Sequence, residues 1–258
     1  MQVLIQGAAS RSPRAQLRRV SMLRPFVWIG RGTADLVRCW RQDLAHALLM
    51  VAFGWVLLFL LGTHPYFLVA ALSGFLLGAP VMTTGLVELS RRLEAGESTT
   101  FNDSVAPLER NGLALVQFGV VLAAFALAWF IVSGIFLAAV LNVPPPDFVE
   151  TFYRGFLDTA TRAQLASYVS VGGLLALLVF VLSVVTVPVI IDQHLGAWPA
   201  MGLSIDVVRS SPMAMIVWSA LLVAMTAIGF ATLLLGMLVV IPLLGHATWH
   251  AYRDLVRV

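Results

Sequence analysis

The sequence has no lysine; all 16 of its basic Lys and Arg positions are arginine. It has a single cysteine, Cys39, which excludes an internal disulfide. Charge of either sign is scarce, at 11% of residues against 60% hydrophobic, and mean hydropathy is +0.92. A water-soluble fold needs far more polar surface, so lipid must cover much of this one. The first 25 residues are basic but lack the apolar stretch and small-residue cleavage site of a signal peptide, so they are expected to be retained. Catalytic signatures are missing too: there is no glycine-rich phosphate loop, no Gly-x-Ser-x-Gly elbow, no His-Glu-x-x-His and no cysteine pair. No acidic residue falls in the middle of an apolar run, where a proton or ion relay would need one. The chain is therefore not expected to be an enzyme.

What is present is a set of four windows without Asp, Glu, Lys or Arg. They lie between Asp43 and Glu88, Arg110 and Asp147, Arg162 and Asp192, and Arg209 and Arg253. A hydrocarbon core of ~30 Å takes about 20 helical residues. The first and last windows are more than twice that length and read as hairpins; the middle two hold one helix each. The expected fold is all-α, a bundle of six transmembrane helices over about 44–62, 66–88, 113–141, 165–191, 213–231 and 233–251. The first hairpin turns at Thr63-His64-Pro65-Tyr66, where Pro restricts the residue before it. The last turn is placed near 229–236, with one long tilted helix as the alternative. Residues 1–32 read as a flexible basic segment and 33–258 as the membrane domain. With the N-terminus inside, 14 arginines fall inside and only Arg154 and Arg162 outside, a strong positive-inside bias. This predicts a bacterial inner-membrane protein with both termini cytoplasmic.

Three stretches look like variants of one unit. They begin at Thr33-Ala34-Asp35, Phe101-Asn102-Asp103 and Leu203-Ser204-Ile205-Asp206. Each reads as a short amphipathic interfacial helix leading through a polar break into an odd-numbered span. Each following even-numbered span carries one proline, Pro80, Pro188 or Pro242, expected to kink it. Four residues beyond each proline stands a polar residue, Thr84, Asp192 or His246. The arrangement suggests three pseudo-repeated hairpins, with chance recurrence as the competing explanation. In the outer loop, Phe148, Phe152 and Phe156 recur at helical spacing, as in a surface-lying aromatic anchor.

The polar residues that could carry chemistry gather at the cytoplasmic boundary: Asp43, His46, Glu88, Asp192, His194, His246, His250 and Asp254. His246 and His250, four apart, share a helix face. With His46 they are candidate ligands for a transition metal or, as axial ligands, for haem iron. The structural alternative is a network closing the bundle, with Glu88, Asp192 and Asp254 set against Arg91, Arg92 and Arg253. Polar groups collect at a membrane boundary because the hydrocarbon excludes them.

Several segments together resemble the domain of unknown function 2189 family of bacterial integral membrane proteins. They are Trp40-Arg41-Gln42-Asp43-Leu44-Ala45-His46, His64-Pro65-Tyr66 leading to Gly74-Phe75-Leu76-Leu77-Gly78, Glu88-Leu89-Ser90-Arg91-Arg92-Leu93-Glu94-Ala95-Gly96-Glu97, and Pro242-Leu243-Leu244-Gly245-His246-Ala247-Thr248-Trp249-His250-Ala251-Tyr252-Arg253. The resemblance runs from about residue 33 to the end. It implies a polytopic membrane protein and no established activity. Some members are labelled cytochrome c oxidase, but a catalytic haem–copper subunit needs about six histidines over roughly twelve helices. This chain could at most accompany such a complex.

Three functions remain in view. The leading one is a non-enzymatic inner-membrane protein acting through protein partners or lipid, in a membrane-protein complex or homo-oligomer. Its arginine-rich N-terminus would bind anionic headgroups, and no cofactor or nucleic acid is expected. The second is a small-solute transporter or channel with a cavity bordered by Pro80, Pro188 and Pro242. The third is a haem- or metal-binding redox protein using His46, His246 and His250.

Overall fold

The computed structural model describes residues 16–61, 65–141 and 162–257. The turn at Thr63-His64, the outer-loop Phe148, Phe152 and Phe156, Arg154, and the first 15 residues of the basic N-terminal segment lie outside the described residues.

The described chain is helical almost throughout. Its elements are α1 (Arg24–Leu61), α2 (Pro65–Met82), α3 (Thr84–Ala95), α4 (Phe101–Leu141), α5 (Arg162–Ser183), α6 (Thr186–Gln193), α7 (Ala197–Ser210), α8 (Pro212–Ala231) and α9 (Met237–Leu255). Two short strands, β1 (Gln16–Leu17) and β2 (Val256–Arg257), pair antiparallel with Gln16 opposite Arg257, which ties the segment before α1 to the segment after α9. Among the described residues, four runs are long and apolar enough to cross a membrane: Arg24–Leu61, Phe101–Phe136, Arg162–Gln193 and Pro212–Ala231. The expected second span falls on α2 and α3, and the sixth on α9.

The breaks between helices follow from local chemistry. The three entry segments each end at one non-helical residue: Cys39 (φ −107°, ψ 17°), Asn111 (φ −125°, ψ 17°) and Ser211 (φ −137°, ψ 57°). The first begins at Arg24 and the third at Ala197, earlier than the amphipathic pattern indicates. The boundary drawn at residue 33 thus lies inside α1, because Trp28 is wholly buried and anchors the helix upstream of it. Pro188 has no N–H to offer the carbonyl of Val184, and α5 stops just before that residue. Pro80 precedes its break instead. At that break the Thr83 hydroxyl donates to the Pro80 carbonyl at 3.0 Å, taking up an acceptor that the helix releases. Pro242 sits within α9, which runs unbroken from Met237 to Leu255.

Between α8 and α9 the chain turns over residues 232–236. Leu233 and Leu234 adopt left-handed backbone (φ 52° and 69°), which a side chain with a Cβ resists. Two things offset that cost. The Gly236 N–H donates to the Thr232 hydroxyl at 2.7 Å, and Leu234 is buried with Val51, Met237 and Val240. The tilted single-helix alternative does not occur.

Burial is distributed in the manner of a membrane protein. The main core gathers Trp28, Ile190, Ile191, Trp218, Trp249 and Tyr252 near the charged end of the bundle. Along the apolar helices large side chains face outward, Phe59 at 88% and Val223 at 70% exposure. Apolar surface on this scale is unfavourable in water and natural in lipid.

Candidate functional site

The closest helix pairing brings the N-terminal half of α1 against the C-terminal half of α9. Small residues make the approach possible. A Cβ on Gly32 would stand 2.8 Å from the Ala247 backbone N, and one on Gly245 would stand 2.7 Å from Leu86 Cβ. The buried face of α1 runs Trp28, Gly32, Asp35, Cys39, Asp43 and His46, steps of three and four that keep one helix face inward. Two carboxylates on that face are carried into the contact with α3 and α9.

There they join a continuous chain of hydrogen bonds. His246 Nε2 lies 3.0 Å from both oxygens of Asp43, and His246 Nδ1 lies 2.7 Å from Ser90 Oγ. Ser90 Oγ is 2.7 Å from Asp35 Oδ2, which also accepts from His250 Nε2 at 2.8 Å. Three contacts link Asp43 to Asp35, and they need three hydrogens. With Asp35 an acceptor, Ser90 supplies one, donated to that carboxylate. The Asp43–His246 pair must therefore hold two between them, one reaching Ser90 Oγ. The spacing of Ser90, His246 and Asp43 is that of a nucleophile, base and acid. Yet Ser90 is wholly buried and its proton is engaged by Asp35, so the hydroxyl bridges rather than attacks.

A second cluster centres on Glu88, also wholly buried. Arg91 binds it bidentately at 2.8 and 3.0 Å, Arg92 Nε donates at 3.0 Å, and Arg110 Nη2 reaches it from α4 at 2.6 Å. Glu97 and Asp103 take up the remaining charge of Arg91 and Arg92. A third centres on Asp254, which accepts from Arg24 at 2.6 and 3.1 Å and from Trp28 Nε1 at 2.8 Å, with Arg31 at 3.5 Å. Burial pushes the Asp254 carboxyl up, but the hydrogen bonds and charges of Arg24, Trp28 and Arg31 outweigh it and hold the group below the ordinary carboxylate value.

The structure thus brings His246, His250 and Asp43 together and leaves His46 apart. His46 Nδ1 donates to the Gln42 carbonyl at 3.0 Å, and its Nε2 is 3.2 Å from Ser104 Oγ. Among the described residues no three His, Cys, Asp or Glu side chains converge as ligands for one ion. His194 caps α6 in left-handed backbone and accepts from Asn111 Nδ2 at 3.0 Å, away from the other histidines. Asp192 accepts from the Tyr252 hydroxyl. Some expected pairings are exchanged. Asp254 takes Arg24 and Arg31 from α1, whereas Arg253 donates to Glu94 at 2.9 Å and stands 4.0 Å from Asp192. The reason is the close docking of α1 on α9, which presents N-terminal arginines to Asp254. Pro188 and Pro242 lie in packed interior.

Sequence reading missed Asp35, Ser90, Glu94, Arg24, Trp28 and Arg110 as members. A signal for Asp35 was available: it lies on the same three-four stripe as Asp43 and His46. None existed for Ser90 or Arg110, whose partners are distant in sequence.

A helical protein with outward apolar faces and, among the described residues, its buried ionic clusters gathered at one end is an integral membrane protein. Residues 68–192 match the model of the family described as Predicted integral membrane protein (DUF2189), so the chain resembles that family over nearly half its length. The segments at 40–46 and 242–253 lie outside the matched residues. No curated protein and no solved structure matches the chain.

Proposed function

We propose that this chain is a six-span, non-enzymatic protein of the bacterial cytoplasmic membrane, with both termini cytoplasmic, that acts through contacts with membrane lipid and other membrane proteins. What carries the reading is the fate of the side chains able to do chemistry. Asp43, Glu88, Ser90 and His246 are at most 1% exposed and are engaged by one another or by arginine. Such groups close a bundle, and none of these four is free to act as nucleophile or base on a substrate. The arginine asymmetry supports the orientation, and the breaks at Cys39, Asn111 and Ser211 are consistent with three entry-helix-and-hairpin units.

The topology is tested by labelling single cysteines in a Cys39→Ser background with a membrane-impermeant maleimide. Leu235→Cys, in the turn before α9, is expected to react in intact spheroplasts. Ser98→Cys and Arg257→Cys should react only in inverted vesicles. Reaction of all three from one side would replace six spans with another count. Purified protein is expected to show no Soret band and no stoichiometric metal; a haem spectrum would move the protein to the redox reading.

A further inference from the structure

A cleft of about 390 Å³ opens at the charged end between α1, α3 and α9. Three of its lining residues are arginines: Arg31 and Arg38 from α1 and Arg253 from α9. Arg31 and Arg38 are seven residues apart, two helical turns, so they face the same way about 10 Å apart along the axis. Three carboxylates also line it, and each is already partnered. Asp254 is held by Arg24, Trp28 and Arg31, Glu94 by Trp249 and Arg253, and Asp35 by Ser90 and His250.

The donors are not committed to the same degree. Among the described residues Arg38 has no carboxylate partner, and neither Arg31 nor Arg38 donates a hydrogen bond to the protein. Arg253 uses Nε on Glu94, and its Nη1 stands 4.0 Å from Asp192. The cleft therefore carries surplus guanidinium N–H groups from two helices, and one of its arginines, Arg38, has no carboxylate partner among the described residues. We propose that it binds a phosphate group, as a free phosphate compound or as a lipid headgroup. A guanidinium fork matches phosphate oxygens in pairs, and guanidinium groups from two helices lining one cleft suit an anion with three or four acceptor oxygens better than a carboxylate with two. This goes beyond the proposed function, which needs no ligand in the cleft, and it does not depend on the number of spans.

The test uses the full chain in phosphatidylcholine nanodiscs. Inorganic phosphate is titrated calorimetrically at low ionic strength into wild type, Arg38→Gln, and Arg209→Gln as an exposed control outside the cleft. In a second arm, melting temperature is compared with and without phosphatidic acid in the bilayer. Arg38 is exposed and unpaired, so its variant should fold. Phosphate binding weakened at least tenfold by Arg38→Gln and unchanged by Arg209→Gln supports a free phosphate compound. No phosphate binding, but stabilisation by phosphatidic acid that Arg38→Gln abolishes, supports the headgroup. No effect in either arm, or effects equal in both variants, overturns the proposal.

Discussion

Ser90 is the one residue without an ionisable side chain in the hydrogen-bond chain from Asp43 to His250, which makes Ser90→Ala the sharpest probe of the polar network. The substitution removes a single oxygen and leaves every charge in place. His246 Nδ1, wholly buried, loses its partner at 2.7 Å, and Asp35 loses one of its two donors. Leaving a buried polar group unsatisfied costs about 1–3 kcal/mol, and loss of a hydrogen bond to a charged group costs about 1.5–3 kcal/mol. Alanine returns roughly 0.5 kcal/mol through its helix propensity. The net loss is expected at about 2–5.5 kcal/mol. For a domain of this size that corresponds to a fall in melting temperature of roughly 4–22 °C. Thermal unfolding followed by tryptophan fluorescence in detergent reads it, because Trp28 and Trp249 lie in the adjoining core. Ser167→Ala is the control. Its hydroxyl is exposed and bonds only the carbonyl one turn back, so no more than a degree or two is expected. If Ser90→Ala melts with that control, the hydroxyl does not bridge the two carboxylate–histidine pairs, and the hydrogen count that places two protons on Asp43 and His246 is wrong.

Two further predictions concern the α1–α9 contact. Gly32→Ala puts a methyl 2.8 Å from a backbone nitrogen that cannot yield without moving a helix, so a loss of about 1–3 kcal/mol is expected. Gly119→Ala meets nothing within 4 Å and should hold or slightly raise the melting temperature in the same assay. Asp254, whose folded carboxyl lies below the ordinary value of 3.8, contributes stability that is fully present above that value. The contribution is lost as pH falls through the lowered folded value. Melting temperature measured from pH 7 to pH 3 should therefore decline less steeply for Asp254→Asn than for wild type, from a lower starting point; parallel curves would show that Arg24, Trp28 and Arg31 do not hold that carboxylate.

The membrane class, the helical fold and the concentration of ionic residues at one end were legible in the sequence, because each rests on a one-dimensional quantity. Lipid excludes charge, so the charge-free windows mark the apolar helices, and polar entry residues mark breaks such as Asn111 and Ser211. The turn before α9 was placed to within a few residues for the same reason, although the left-handed Leu233 and Leu234 were not foreseeable from residue type. Asp35 was half legible, through its place on the stripe shared with Asp43 and His46. Which ionic groups pair was decided by tertiary structure alone. Asp254 meets Arg24 across 230 positions, and Ser90 meets His246 across 156. Such pairings depend on α1 lying against α9 at Gly32, a contact whose register comes from packing shape rather than from any local pattern. The sequence by itself therefore determined that a protein of apolar helices would carry most of its charge at one end; the close approach of two distant helices decided that this charge would form a buried hydrogen-bond chain and an arginine-lined cleft.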